Sequence, residues 1–345
     1  GPVNTAPLLA RTGLMTAVGV NLGLGAYGGL DIQGRTFADT LAATGVDMSA
    51  IIVHSSLPTG TTFIHESAGG ERGGIAYFPN ANNDFDFEAF KPHVERLDPR
   101  VVYYMYSGLS DRGDANGGRD LAAFMAWCRA RGCVTIADSH TLTGDPQALI
   151  ASGAPVPAYT LLEPLLSELD IFFTSADEAR MIRNTLDPAP RAQPADQHAA
   201  CLGFLDFLRA YTAGRRRGRP QVFGVTVKKG AYITLTDPDG RSGDTQFHES
   251  RYRIGDVVDL VGAGDSFRAG LVAYVSQHIG DLDAGTLSLG EAVQMGNLMA
   301  TLYVTAPLSD RYGGIAAFDK LLAVVRSGRI FSSRAELLAA LAGQT

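Results

Sequence analysis

The sequence is short of cysteine, short of charge and without a long apolar run. Its 345 residues include 3 cysteines, Cys128, Cys133 and Cys201. So few cannot build a disulfide framework, and free thiols buried in a core are the expected state. No run of about 18 apolar residues occurs, which argues against a membrane-spanning helix. No secretory leader is recognisable either, so the cytoplasm is the expected compartment. Charged residues make up only 19% of the chain and the net charge is −7. That balance offers nucleic acid or an anionic membrane no electrostatic footing. The one basic run, RRRGR at 215–219, lies in a Gly/Pro-containing stretch and reads as a solvated loop.

What is present is the material of an α/β fold. Hydrophobic residues reach 46%, enough for a globular core, and the length suits one α/β domain with an accessory element. Apolar spacing predicts helices over 4–13, 35–45, 118–132, 157–169, 176–186 and 199–214, and again from 265 onward. Between them lie strand-like runs at 14–22, 100–106, 134–138 and 171–175, and a strand or hairpin over 221–237. Strands alternating with helices predict a mostly parallel sheet covered on both faces. Residues 51–79 break the alternation: IIVHS, TTFIHES and GGIAYFP are β-rich, with no helix between them. Stretches 111–119, 187–197 and 213–220 read as surface insertions.

The most informative stretch is DLVGAGDSFRAG, residues 259–270. A Gly-rich turn opening a helix offers unpaired N–H groups and the positive end of the helix dipole, a natural anion site. Gly262 and Gly264 allow close backbone approach. Asp265 has two readings. It is a helix cap, because Asp is favoured there, or it is a general base facing a hydroxyl nucleophile beside a transferring phosphoryl group. A second Gly-rich string, GLGAYG at 23–28, matches the dinucleotide fingerprint, but the helix after it starts too late for a nicotinamide enzyme. His140 follows a strand alone, without a second histidine at ligand spacing, and reads as structural or peripheral.

DLVGAGDSF closely resembles the C-terminal signature of the ribokinase/PfkB carbohydrate kinases, D-T-x-G-A-G-D-x-F, with Leu260 in place of Thr. Other segments resemble the family's motifs in the same order. GPVNTAPLLARTG resembles its N-terminal Gly-Gly motif, GLDIQG its G-x-D-x-x-G, and ATGVDMSAI the segment entering its lid. Residues 59–82 resemble its T-G to G-E-R to G-A-N stretch, with Asn80 for Gly. IFFTSADEA resembles its N-x-x-E motif, with Ser175 for Asn, and GVTVKKGAYI its nucleotide-side strand.

The resemblance implies a Rossmann-like three-layer α/β sandwich with a small β lid. The main domain would be 1–48 and 84–345, and the lid 49–83. It implies MgATP and transfer of the γ-phosphoryl group to a hydroxyl of a sugar or sugar-like molecule. Asp265 would be the base, and Gly262, Ala263 and Gly264 the anion hole. Gly1, Asn4, Asp31 and Asn82 would meet the substrate. Thr226, Lys228, Gly230 and Asn297 would border the nucleotide. Glu178 would order Mg²⁺ through water, and Asp259 with nearby carbonyls would hold K⁺. The lid would close over substrate and pair with a second subunit. A further strand and a substrate-binding Asp, about 30 residues in all, would precede Gly1. A catalytically weak ligand-binding relative and a nucleoside kinase remain open alternatives.

Overall fold

Period-two alternation on the central strands builds a core on each face of one sheet. The fold is described from a computed structural model covering residues 1–66, 72–76, 79–187, 196–215, 218–240 and 243–343. The strands are β1 Val20–Gly25, β2 Gly29–Leu30, β3 Ile51–His54, β4 Thr62–Glu66, β5 Arg72–Ala76, β6 Val101–Ser107, β7 Val134–Ser139, β8 Ile171–Ser175, β9 Val222–Val227, β10 Gly230–Leu235 and β11 Thr245–Glu249. The large sheet has the order β11-β10-β9-β8-β7-β6. Strands β6 to β9 are parallel, while β10 and β11 close one side antiparallel.

Ile136, Ile171, Phe173, Val222 and Ile233 join the core under helices Ala263–Gln277 and Leu289–Val304. Their neighbours Ala137, Phe172, Phe223 and Tyr232 join the opposite core, under helices Arg119–Ala130 and Gln197–Thr212. Successive side chains on a strand point to opposite faces, so one apolar run feeds both cores. Helices Ala263–Gln277 and Leu289–Val304 cross closely at Gly270. A Cβ there would come within 2.4 Å of the Met295 carbonyl oxygen.

A smaller sheet, ordered β2-β1-β3, and the hairpin β4–β5 lie apart from the large one. Strand β3 pairs parallel with β1, so a division between residues 48 and 49 cuts through that sheet. The strand expected over 14–22 begins only at Val20. The helix expected from 35 begins at Ile32, because Asp31 caps it by accepting from the Gly34 N–H at 2.7 Å. GLGAYG is a hairpin: Gly25 pairs antiparallel with Gly29, and no helix opens at its third glycine. Residues 157–168 form three short helical pieces, where Pro157 and Pro164 remove donors.

The basic run is a partial correction. Residues 216–217, and most of the insertion at 187–197, lie outside the described residues. Arg219 is not solvated: it lies 3.1 Å from the fully buried Asp170, 2.5 Å from Asp283, and donates to the Cys133 carbonyl. The three cysteines are buried free thiols. Burial pushes Cys128 up to about 12 and Cys201 up to about 11, which keeps both protonated and unreactive. Among the described residues no single helix is long and apolar enough to cross a membrane.

Candidate active site

The parallel strands end on one edge, where α/β folds bind ligands, and helix Ala263–Gln277 points its N-terminus at that edge. Strand β6 is distorted there. Its register against β7 shifts between Tyr104 and Ser107, and Tyr106 takes a left-handed backbone with φ of 65°. A bulky residue is rarely found in that region. Asp138 holds it there by accepting from the Tyr106 N–H at 2.9 Å. Asp138 itself is fully buried. It also accepts from the Tyr103 hydroxyl at 2.8 Å and lies 3.1 Å from Arg268 Nε. That contact is an ion pair rather than an aligned hydrogen bond, since Nε lacks a hydrogen-bond partner. Burial pushes the Asp138 carboxyl above its ordinary value, and the Arg268 guanidinium opposes the shift.

Asp265 is 5% exposed and sits at the third helical position, after Gly262 as N-cap. Its side chain does not cap the helix. Oδ2 accepts from Asn4 Nδ2 at 2.8 Å and from the Gly1 nitrogen at 2.6 Å. Oδ1 accepts from the Tyr106 hydroxyl. Burial alone would raise the Asp265 carboxyl. The hydrogen bonds from the Gly1 nitrogen, Tyr106 and Asn4 oppose that rise and favour the charged carboxylate. The Tyr106 phenol shifts upward, through burial first and the Asp265 charge second, so it stays a donor.

The turn before Asp265 fits an anion. Gly262 has φ of 90°, and a Cβ there would lie 2.8 Å from Asn4 Nδ2 and 3.0 Å from the Tyr303 ring. Among the described residues the N–H groups of Gly264 and Asp265 have no acceptor, as expected of a helix start. Gly262→Ala is therefore expected to cost roughly 1–2 kcal/mol from the left-handed backbone alone. It also displaces Asn4. A fall of about 1.5–3 °C in melting temperature checks this; an unchanged melt would mean the turn is not held as described.

Asn4 lies inside helix Pro2–Arg11, whose N-cap is Gly1 without a side-chain bond. Asn4 is thus no cap either: its Oδ1 accepts from the Tyr303 hydroxyl at 3.0 Å while Nδ2 serves Asp265. Glu178 is buried, not an exposed helix residue. It accepts from Thr174, Ser139, Thr141 and the Ser175 N–H at 2.8–3.1 Å. Ser175 and Glu178 form a reciprocal capping box, so serine does the capping work asparagine would do. Thr226 lies beside them, paired in register with Ser175.

Other predicted residues stand elsewhere. Asp31 clamps Thr59, accepting from its N–H and hydroxyl at 2.7 Å. Asn82 Oδ1 accepts from the Asn21 N–H. Lys228 is exposed in the β9–β10 turn, and Gly230 opens β10. Asn297 is 7% exposed, with an unpartnered Nδ2. His140 packs its ring edge-on against Tyr106 at 5.0 Å. Asp259, the carboxylate expected to hold K⁺, is paired with Arg311. No described group of three or more His, Cys, Asp or Glu side chains could hold a metal.

Tyr106, Asp138, Arg268, Tyr303 and Arg311 were not foreseen. Arg268 alone left a visible signal, a charge inside the apolar helix SFRAGLVAYV.

Comparison with known proteins bears on this geometry. No curated protein sequence matches the chain. Among solved structures, a fructokinase with bound ATP from Xylella fastidiosa superposes with a TM-score of 0.65 at 19% identity, over 94% of this chain and 89% of that one. A fructokinase from Vibrio cholerae O395, in a fructose, ADP and calcium ion bound form, gives 0.63 at 18%, over 94% and 90%. A ribokinase from Giardia lamblia gives 0.65 at 14%, over 93% and 87%. These likenesses fix the fold as ribokinase-like. The sequence itself matches a family model, pfkB family carbohydrate kinase, across residues 1–311. That span takes in Asn4, Asp265 and Arg311, and it places the chain in the pfkB family of carbohydrate kinases.

Proposed function

We propose that the chain is an ATP-dependent kinase that phosphorylates a hydroxyl of a sugar or sugar-like molecule, with Asp265 as general base. The observation that carries this reading is the direction of the Asp265 carboxylate. It leaves its own helix uncapped and faces Asn4 and Tyr106, directly after a glycine turn with free N–H groups. A carboxylate beside an anion site is repulsive unless it faces a nucleophile.

In this reading Asp265 Oδ2 takes the proton of the acceptor hydroxyl. Asn4 and the Gly1 nitrogen, which hold Oδ2 here, turn to the sugar oxygens. Tyr106 keeps its bond to Oδ1 and fixes the carboxylate plane. Gly264 and Asp265 N–H groups receive the developing charge. Glu178 and Thr226, on the same strand edge, would face the metal–nucleotide, and bound MgATP supplies the phosphoryl group with partial neutralisation of its charge. The β2-β1-β3 sheet and the hairpin β4–β5 are proposed as the lid that excludes water.

The departures from the family signature do not weaken this reading. Leu260 is 58% exposed, and it acts through its backbone, its carbonyl accepting from the Ala263 N–H. Ser175 caps its helix. The test is ADP formation with ATP and Mg²⁺ over a panel of sugars, sugar acids and nucleosides. Nucleotide binding without transfer to any acceptor would instead support the weak ligand-binding reading.

Tyr106→Phe separates orientation of the base from mere packing. It removes one hydrogen bond to a carboxylate, worth about 1.5–3 kcal/mol, so turnover is expected to fall roughly 10- to 100-fold. The bond favours the charged form, so its loss raises the Asp265 pKa and moves the acid limb of the rate profile upward. A lower rate with an unmoved limb would leave Tyr106 a packing residue.

A further inference from the structure

We propose that the Arg311 guanidinium stands where the family resemblance puts a potassium ion, so that this kinase works without a monovalent cation. The inference rests on the kinase reading above. A cation behind the glycine turn would need the Asp259 carboxylate and neighbouring carbonyls. Both kinds of oxygen are already engaged by one side chain. Arg311 Nη2 bonds Asp259 Oδ2, and Nη1 donates to the Val261 carbonyl at 3.1 Å. The other Asp259 oxygen accepts from the Val261 N–H at 2.8 Å. An inorganic cation on the same oxygens would sit against a fixed positive charge.

The guanidinium also does what such an ion would do. Val261 directly precedes Gly262, so a bond to its carbonyl fixes the entry to the anion turn. The Arg311 charge neutralises Asp259, which would otherwise oppose an incoming phosphate. The guanidinium lies over the Tyr303 ring, 4.8 Å from its centre, a cation–π arrangement. Tyr303 donates to Asn4, and Asn4 to Asp265. One side chain therefore braces the turn on one side and the base on the other. Its side chain is only 12% exposed, so solvent does not compete strongly for it. A tethered cation is always present, whereas a free ion must be bound from solution.

The experiment uses the full chain at constant ionic strength, in KCl or in tetramethylammonium chloride. Nucleotide affinity is measured by calorimetry, and turnover with the best acceptor is measured alongside. Both are expected to agree within about twofold between the two salts. A gain of about tenfold or more in KCl alone overturns the inference. Arg311→Met is expected to lower both about tenfold or more, since it removes charge-assisted bonds. Added guanidinium ion or K⁺ should restore part of the loss, and tetramethylammonium should not. A folded Arg311→Met protein with wild-type values in every salt would also overturn it.

Two controls keep the outcomes separate. If Arg311→Met does not fold, the wild-type salt comparison decides. If no nucleotide binds in any salt, the kinase reading fails, and melting of the ligand-free wild type decides the cation question. A potassium-specific rise in melting temperature would reveal a bound ion and sink the proposal; coincident melts would support it.

Discussion

Asp265→Asn is expected to lower turnover by a factor on the order of 10² to 10⁴, the usual cost of losing a general base. Asparagine keeps the size of the side chain, and with its carbonyl oxygen in the place of Oδ2 it still accepts from Asn4 and the Gly1 nitrogen. Its amide then meets the Tyr106 hydroxyl, which can accept as well as donate. No helix cap is lost, since Asp265 does not cap its helix. The loss of a negative charge in the first turn costs about 0.3–1 kcal/mol, so the melt should hardly move. Nucleotide affinity should hold or rise, because a repulsive charge leaves the phosphate side. Turnover within a few-fold of wild type, with a confirmed acceptor, would remove Asp265 from the chemistry.

The largest effect on stability is expected from Arg268→Met. Arg268 is 8% exposed and its partner Asp138 is fully buried. Removing one partner of a buried pair strands the other charge, at a cost of about 3–5 kcal/mol. Asp138→Asn in the same chain should recover most of the loss. Its carbonyl oxygen can still accept from the Tyr106 N–H or the Tyr103 hydroxyl, and no net charge is left behind. Denaturant titration of the two single variants and the double variant measures the coupling. Equal stabilities for the wild type and Arg268→Met would mean that the 3.1 Å contact contributes nothing net.

The parts of the site that sequence revealed are those that are local in the chain. The turn at 262–264 and Asp265 are contiguous, and glycine spacing before a helix has few meanings. The sheet was legible for a similar reason: each strand is its own short β-rich apolar run, and each helix carries its own period. What stayed hidden depends on partners far apart in sequence. YYMY reads as an ordinary strand, and nothing in it reveals the left-handed backbone at Tyr106, which Asp138 imposes from the next strand. Arg311 meets Asp259 across 52 positions, a pairing no spacing rule anticipates. Asn4 was singled out, but its grip on Asp265 rather than on its own helix is a tertiary fact.

The bond between Asn4 and Tyr303 spans 299 positions, and this bears on how the chain is made. Synthesis proceeds at about 5–20 residues per second, so Asn4 leaves the ribosome roughly 15–60 s before its partner exists. Through that interval Leu8, which ends fully buried against residues of the C-terminal helices, has no core to enter. The first helix must either wait in a holding state or borrow a temporary cover, and a nascent chain halted before residue 263 has neither Asp265 nor the rest of the glycine turn. Escorts that shield short apolar helices early in synthesis should therefore raise the yield of active protein more than those that act after release.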